Sequence, residues 1–70
     1  MLIRFKFGNG FVRILNTENI SQMCEVSSEI EFNPMLMVVK FSSQKQAIEA
    51  LDKIYTAYAD GARAVTIEVD

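Results

Sequence analysis

The chain has 70 residues, of which 50% are hydrophobic and 23% charged, with three glycines and one proline. This length fits a single domain, residues 1–70, and the composition excludes disordered, collagen-like and low-complexity classes of protein. Histidine is absent and Cys24 is the one cysteine. Imidazole acid–base catalysis, an internal disulfide and a four-thiolate zinc site are therefore excluded, and a reducing cytoplasm is the expected location.

Charge is unevenly distributed along the chain, although the net charge is only −2. Residues 1–16 carry only basic charges, residues 17–39 carry only acidic charges, and the two signs mix from Lys40 onward. A domain that binds nucleic acid over its whole surface has a more positive net charge than this chain. The distribution does fit a local basic face near the N-terminus. The longest apolar run, Met35 to Val39, is far shorter than the roughly 20 residues that span a bilayer, so we expect no membrane association.

The N-terminal segment predicts a β-hairpin. Apolar and basic side chains alternate over residues 2–7, the period-two pattern of a strand with one buried face. Gly8-Asn9-Gly10 favours a tight turn, and residues 11–15 form the returning strand. We expect the basic side chains of this hairpin to cluster on its solvent-facing side: Arg4, Lys6 and Arg13.

The middle of the chain predicts a third strand, followed by a segment that the sequence leaves open. Residues 20–26 alternate as a strand, in which Cys24 is expected to act as a half-buried hydrophobe. Glu29 and Glu31 alternate with apolar residues, which fits either a short strand extension or an extended loop. We expect a solvated loop there, in preference to a cation site or an acid–base pair of carboxylates.

The remaining elements are a strand, a helix and a last strand. Residues 35–41 are apolar at both odd and even positions up to Lys40, so both faces of a strand here would be apolar. This pattern is typical of a strand covered on both faces. Ser43 and Gln46 have the capping-box spacing at a helix start, and Gly61 suits the left-handed position after a helix end. Residues 64–69 alternate again. Helical spacing gathers these side chains on one face of the helix: Ala47, Ile48, Leu51, Ile54, Tyr55 and Tyr58.

Together these elements predict an α+β domain with the chain order β-β-β-β-α-β. Its antiparallel sheet has about four to five strands, and one helix, about residues 43–60, packs on one face. Because the last strand follows a crossover helix, it can lie parallel to residues 35–41. Alternatively, it can leave the chain and join the sheet of another subunit.

A resemblance is carried by residues 12–20, Val-Arg-Ile-Leu-Asn-Thr-Glu-Asn-Ile, followed by an apolar strand and a helix. This pattern resembles small bacterial and phage-type sheet-plus-helix proteins that carry an "INTENI"-like turn, and in outline it is similar to the flagellar FlbD-type proteins. The likeness covers about residues 2 to 58 and departs at Ala62–Asp70, where a further strand follows the helix. It implies a small cytoplasmic protein and no catalytic residues.

The apolar surface of the strands predicts self-association. One helix of this length is roughly 25 Å long and covers only one face of a sheet, while chains of this size bury only about 60% of their unfolded surface. The apolar residues at both parities of the 35–39 segment are therefore expected to be buried against a second copy. The candidate oligomer interface contains Met35, Met37, Val39, Val65, Ile67 and Val69.

The expected function is a non-enzymatic interaction protein that acts as a homodimer or higher oligomer, with no cofactor or metal and with an unknown protein partner beyond itself. An alternative is a nucleic-acid-binding regulator in which Arg4, Lys6 and Arg13 contact phosphates and Phe11 stacks on a base. Three charges make a weak electrostatic contribution to binding. The same basic side chains are also typical of a solvated strand face that resists edge pairing.

Overall fold

A computed structural model describes residues 1–34 and 37–70. The α+β class with one helix is confirmed, and no helix within these two ranges is both long and apolar enough to cross a membrane. A 3-10 turn, Thr17–Asn19, follows the second strand. The elements in chain order are β1 (Leu2–Phe7), β2 (Val12–Asn16), β3 (Gln22–Val26), β4 (Glu29–Asn33), β5 (Met37–Lys40), α1 (Gln44–Ala59) and β6 (Ala64–Val69).

The strands form two three-stranded sheets, where the sequence predicts a single sheet of four to five strands. The first sheet has the order β2-β1-β6 and the second has the order β3-β4-β5. The prediction differs because residues 29–33, which the sequence leaves between strand and loop, form the separate strand β4. Ser27 adopts φ 59° in the turn that brings Glu29 opposite Val26, so β4 folds back directly on β3.

The last strand also has a different partner from the one predicted. β6 lies parallel to β1, with Ile3 beside Val65 and Phe5 beside Ile67, whereas the sequence predicts a place next to residues 35–41 or in another subunit. The observed register aligns the apolar side chains of both strands on one face. The first sheet thereby acquires a continuous inner layer.

The core lies where the inner faces of the two sheets and the helix meet. Ile3 and Phe5 of the first sheet and Ile30 and Phe32 of the second are fully buried. The helix contacts β3, β4 and β6, and so covers parts of both sheets. No polar or charged residue is buried in the two described ranges. The helix contributes these buried side chains: Ala47, Ala50 and Ile54.

Both predicted helix ends are confirmed, with one difference in detail. The hydroxyl of Ser43 accepts a hydrogen bond from the Gln46 backbone N–H at 3.2 Å, while the Gln46 side chain contacts Ser42. At the other end Gly61, with φ 75°, donates to the Tyr58 carbonyl and Ala62 donates to the Ala57 carbonyl, the two bonds of a Schellman motif.

The buried face of the helix is rotated relative to the predicted apolar stripe. Ala50 packs in the core, whereas Ile48, Tyr55 and Tyr58 are exposed. Small alanine side chains at the contact allow a helix to approach a sheet closely, and the two large aromatic rings lie on the exposed flank of the helix. The helix consequently presents an aromatic surface to solvent beside β3.

Candidate interaction surfaces

Strand β2 forms one open edge of the first sheet and is poorly buried. Of its five residues only Leu15 lies in the core. Ile14 is 57% exposed and Phe11, just before the strand, is 59% exposed. Val12 and Arg13 are exposed as well. The four exposed residues Phe11, Val12, Arg13 and Ile14 are called the β2 patch below.

The backbone of the β2 patch carries hydrogen-bonding groups that no other strand takes up. Thr17 donates its N–H to the Met1 carbonyl and Phe7 donates to the Phe11 carbonyl. Bonded pairs alternate along an antiparallel ladder, so the odd-numbered residues of β2 bond to β1. The N–H and C=O groups of Val12 and Ile14 therefore point toward the open edge, where an added strand can pair with them.

The register of the hairpin separates the three basic residues that the sequence predicts to lie together. Arg13 pairs with Phe5, whose side chain points to the inner face, whereas Arg4 pairs with Ile14 on the outer face. The prediction of one basic face is therefore wrong for Arg13. Lys6 shares the outer face with Arg4, but its ammonium lies 3.9 Å from the Glu68 carboxylate, and Arg4 donates to the Thr66 hydroxyl at 3.3 Å.

The structure assigns most of the predicted oligomer interface to the core of the single chain. Val39, Val65, Ile67 and Val69 are buried, since the second sheet and the helix together cover what one helix alone would leave open. Met37 is half-buried against the core, so a charged substitution there disturbs folding before association. Met35 lies outside the described residues.

The outer face of the second sheet holds the acidic pair of the middle segment. Glu29 and Glu31 lie in β4 and share this face, which corrects the expectation of a solvated loop. The Glu29 carboxylate lies 3.7 Å from the Lys40 ammonium, and Glu31 pairs across the sheet with Cys24 and Val38. This is a half-exposed strand surface without a cleft, so it lacks the burial that separates the pKa values of catalytic carboxylates.

A groove of about 510 Å³ runs between α1 and the start of β3. The helix contributes the apolar side chains of Leu51 and Ile54 to the lining, and the opposite wall contributes those of Ile20 and Met23. The exposed rings of Tyr55 and Tyr58, at 72% and 64%, also line the groove. Its size is in the usual range for a ligand or peptide site. This cavity is called the α1–β3 groove below.

One acidic side chain, that of Asp52, lines the α1–β3 groove, and one cationic group lies beside it, because the Met1 ammonium donates to the hydroxyl of the lining residue Thr17 at 3.1 Å. Asp52 is the one charged residue among the side chains that line the groove, and Asp60 caps the C-terminal end of the same helix. The last turn of α1 contains no basic residue, so the partial negative charge of the helix terminus is not offset within that turn. The helix side of the groove, where Asp52 lies, is therefore suited to an apolar group that carries a positive charge.

Other side chains offer little chemistry. Cys24 is a half-buried free thiol in β3. Residues 1–34 and 37–70 hold no group of three or more histidine, cysteine or acidic side chains that could bind a metal ion. The Ser42 hydroxyl donates to the Asp70 carboxylate at 2.6 Å and lowers the pKa of that carboxyl. The apolar and charged surfaces described above are thus the strongest candidates for function.

Comparison with known proteins gives no further assignment: no protein-family model, curated protein or solved structure matches this chain. The resemblance to FlbD-type proteins stays a prediction. Sequence reasoning did not identify the β2 patch as a candidate interface, although its signal was present. Residues 11–15 are apolar at both parities, interrupted only by Arg13, the same pattern that predicts an interface at residues 35–39.

Proposed function

We propose that this protein is a non-enzymatic interaction protein that self-associates through strand β2. The observation that carries the proposal is the poor burial of this edge strand, in which Phe11, Val12 and Ile14 are all exposed. Charged side chains, lysine above all, normally oppose pairing at such an edge, and β2 carries Arg13 as its one charged residue and no lysine. Edge strands that present apolar side chains and free backbone groups associate readily with a second chain.

The chemistry of the β2 patch supports a protein partner. Burying a valine, isoleucine or phenylalanine side chain contributes about 1.5–3 kcal/mol each. Backbone hydrogen bonds from Val12 and Ile14 fix the orientation of the added chain. A second copy is always present at the concentration of the first, so self-association is the simplest way to cover this strand.

Absence of catalytic machinery from the described surfaces supports the non-enzymatic part of the proposal. The chain has no histidine to activate a serine or cysteine nucleophile, and the hydroxyl–carboxylate pair of Ser42 and Asp70 lies on an exposed surface. The acidic pair Glu29 and Glu31 is engaged with Lys40 on an open surface. A binding role requires only the exposed surfaces.

Sedimentation equilibrium at several protein concentrations tests the proposal. We expect a mass near twice 7.9 kDa for the native chain and a shift toward the monomer for Ile14→Lys, because a charged side chain resists burial at the contact. The matched control is Val38→Lys, the same type of change at a valine that is 43% exposed on the second sheet. It should leave the mass unchanged. A native chain that is monomeric at every concentration would exclude the proposal.

A further inference from the structure

We infer that the β2 patch of one copy docks into the α1–β3 groove of a second copy. This inference rests on the proposed self-association and names the surface that receives the strand. It differs from direct pairing of two β2 strands, because it joins two unlike surfaces. The contact depends on apolar fit, on charge and on the position of the two surfaces in the chain.

The apolar parts of the two surfaces match. A strand that enters a groove edge-on contacts both walls, and the β2 patch carries Phe11 on one side and Val12 and Ile14 on the other. The groove offers Ile20 and Met23 on one wall and Leu51 on the other. β3 is itself an edge strand of the second sheet, so its backbone can pair with an incoming strand.

The charges of the two surfaces are complementary. Arg13 is the charged residue of the β2 patch, and Asp52 is the charged residue of the groove lining. Tyr55 and Tyr58 add exposed ring faces that attract a guanidinium. Pairing two β2 strands about Arg13 would instead place two positive charges side by side. Docking into the groove removes that repulsion and replaces it with attraction.

The two surfaces are adjacent in the chain, which allows the contact to close. β2 ends at Asn16, and Thr17, the next residue, lines the groove. Two copies related by a two-fold axis can therefore exchange two identical contacts, with each β2 patch in the groove of the other copy. This arrangement covers both surfaces at once and ends at a dimer.

A charge-exchange experiment tests this contact. In the Arg13→Glu homodimer a new carboxylate faces Asp52, and in the Asp52→Arg homodimer a new guanidinium faces Arg13, so each variant alone should dimerise at least roughly tenfold more weakly. In an equimolar mixture the heterodimer has two contacts, one that joins the native pair of charges and one that joins its exact reversal, so both contacts are attractive and the repulsion of the two homodimers is absent. We expect native mass spectrometry, which separates the two variants by mass, to detect the heterodimer in preference to either homodimer. The chain that carries both substitutions should dimerise again by itself.

The controls separate failure of this inference from failure of the proposed function. Glu49→Arg makes a similar charge reversal on α1, in a second groove that the helix forms with β6, and should leave dimerisation unchanged. If the native chain dimerises and Ile14→Lys dissociates it, but Asp52→Arg behaves as the native chain, self-association stands and the groove contact is excluded. Random mixing of Arg13→Glu with Asp52→Arg would exclude it as well. A monomeric native chain would overturn both proposals.

Discussion

The rings of Phe5 and Phe32 pack edge to face, with centroids 5.7 Å apart and planes at 66°. Phe5 lies in β1, the central strand of the first sheet, and Phe32 lies in β4, the central strand of the second. Both side chains are fully buried. This pair therefore joins the two sheets directly, and aromatic pairs of this geometry contribute about 0.5–1.5 kcal/mol beyond the burial of their area.

A double-mutant cycle on Phe5→Leu and Phe32→Leu should measure this contribution. Each single change should lower the free energy of unfolding by about 1–2 kcal/mol, a milder loss than truncation to alanine. The coupling energy should be about 0.5–1.5 kcal/mol by denaturant unfolding. The control pair is Phe7 and Phe11, which has the same 66° angle but a centroid distance of 6.5 Å and an exposed ring. Equal coupling in both pairs would contradict the role assigned to the buried pair.

The helix C-terminus provides a test of backbone conformation alone. Gly61 has φ 75°, and no atom lies within 4 Å of a Cβ added there. Gly61→Ala should therefore lower the free energy of unfolding by about 1–2 kcal/mol through the left-handed backbone only. Gly8→Ala is the control, because its φ is not in the positive range and the nearest atom to its added Cβ is 3.7 Å away. It should be nearly neutral, and a cost equal to that of Gly61→Ala would contradict this explanation.

The hydrogen bond from Ser42 to Asp70 predicts a pH dependence. It lowers the pKa of the Asp70 carboxyl below its ordinary value of 3.8. A lowered pKa in the folded state stabilises the fold above the ordinary value, and this stabilisation is lost as the pH falls through the folded pKa. Ser42→Ala should raise the pKa of Asp70 toward 3.8 in an NMR titration of the carboxyl carbon. An unchanged pKa would show that the hydroxyl is not its cause.

The nucleic-acid alternative predicts that the outer face of the first sheet binds single-stranded RNA or DNA. With Arg13 on the other side, this face presents Arg4 and Lys6, and Lys6 lies near Glu68. So few charges release few counterions, and we expect fluorescence anisotropy to detect no binding of single-stranded RNA or DNA at low ionic strength. Binding by the native chain that disappears in Arg4→Glu/Lys6→Glu would instead support the alternative.

The local patterns were predicted well because each depends on a few neighbouring residues. Alternation assigned the inner faces of β1 and β6, and the roles of Ser43 and Gly61 at the helix ends follow from capping chemistry. The apolar pattern of the helix did not fix which of its side chains would be buried. Apolar periodicity alone could not show that alanines would face the sheets and that Tyr55 would remain outside.

The pairing of distant segments could not be predicted, since it depends on turn geometry and on the whole core. The turn after β1 places Phe7 opposite Phe11, and this register puts Arg13 on the side of Phe5. A shift by one residue would reverse that side. In the same way, nothing local to residues 64–69 distinguishes β1 from β5 as the partner of β6.

Hydrogen exchange at the open edge gives the last prediction. The N–H groups of Val12 and Ile14 point away from β1, whereas that of Leu15 bonds within the hairpin, where Leu15 pairs with Ile3. If a second copy covers β2, exchange at Val12 and Ile14 should slow as the protein concentration rises, by roughly tenfold when nine-tenths of the chains are associated. Leu15 is the internal reference, because its N–H is already bonded within the hairpin and association slows its exchange only by stabilising the fold as a whole. In Asp52→Arg the slowing should require higher concentrations, since the receiving groove is altered on every copy. Exchange rates at Val12 and Ile14 that do not change with protein concentration would show that the edge of β2 remains open.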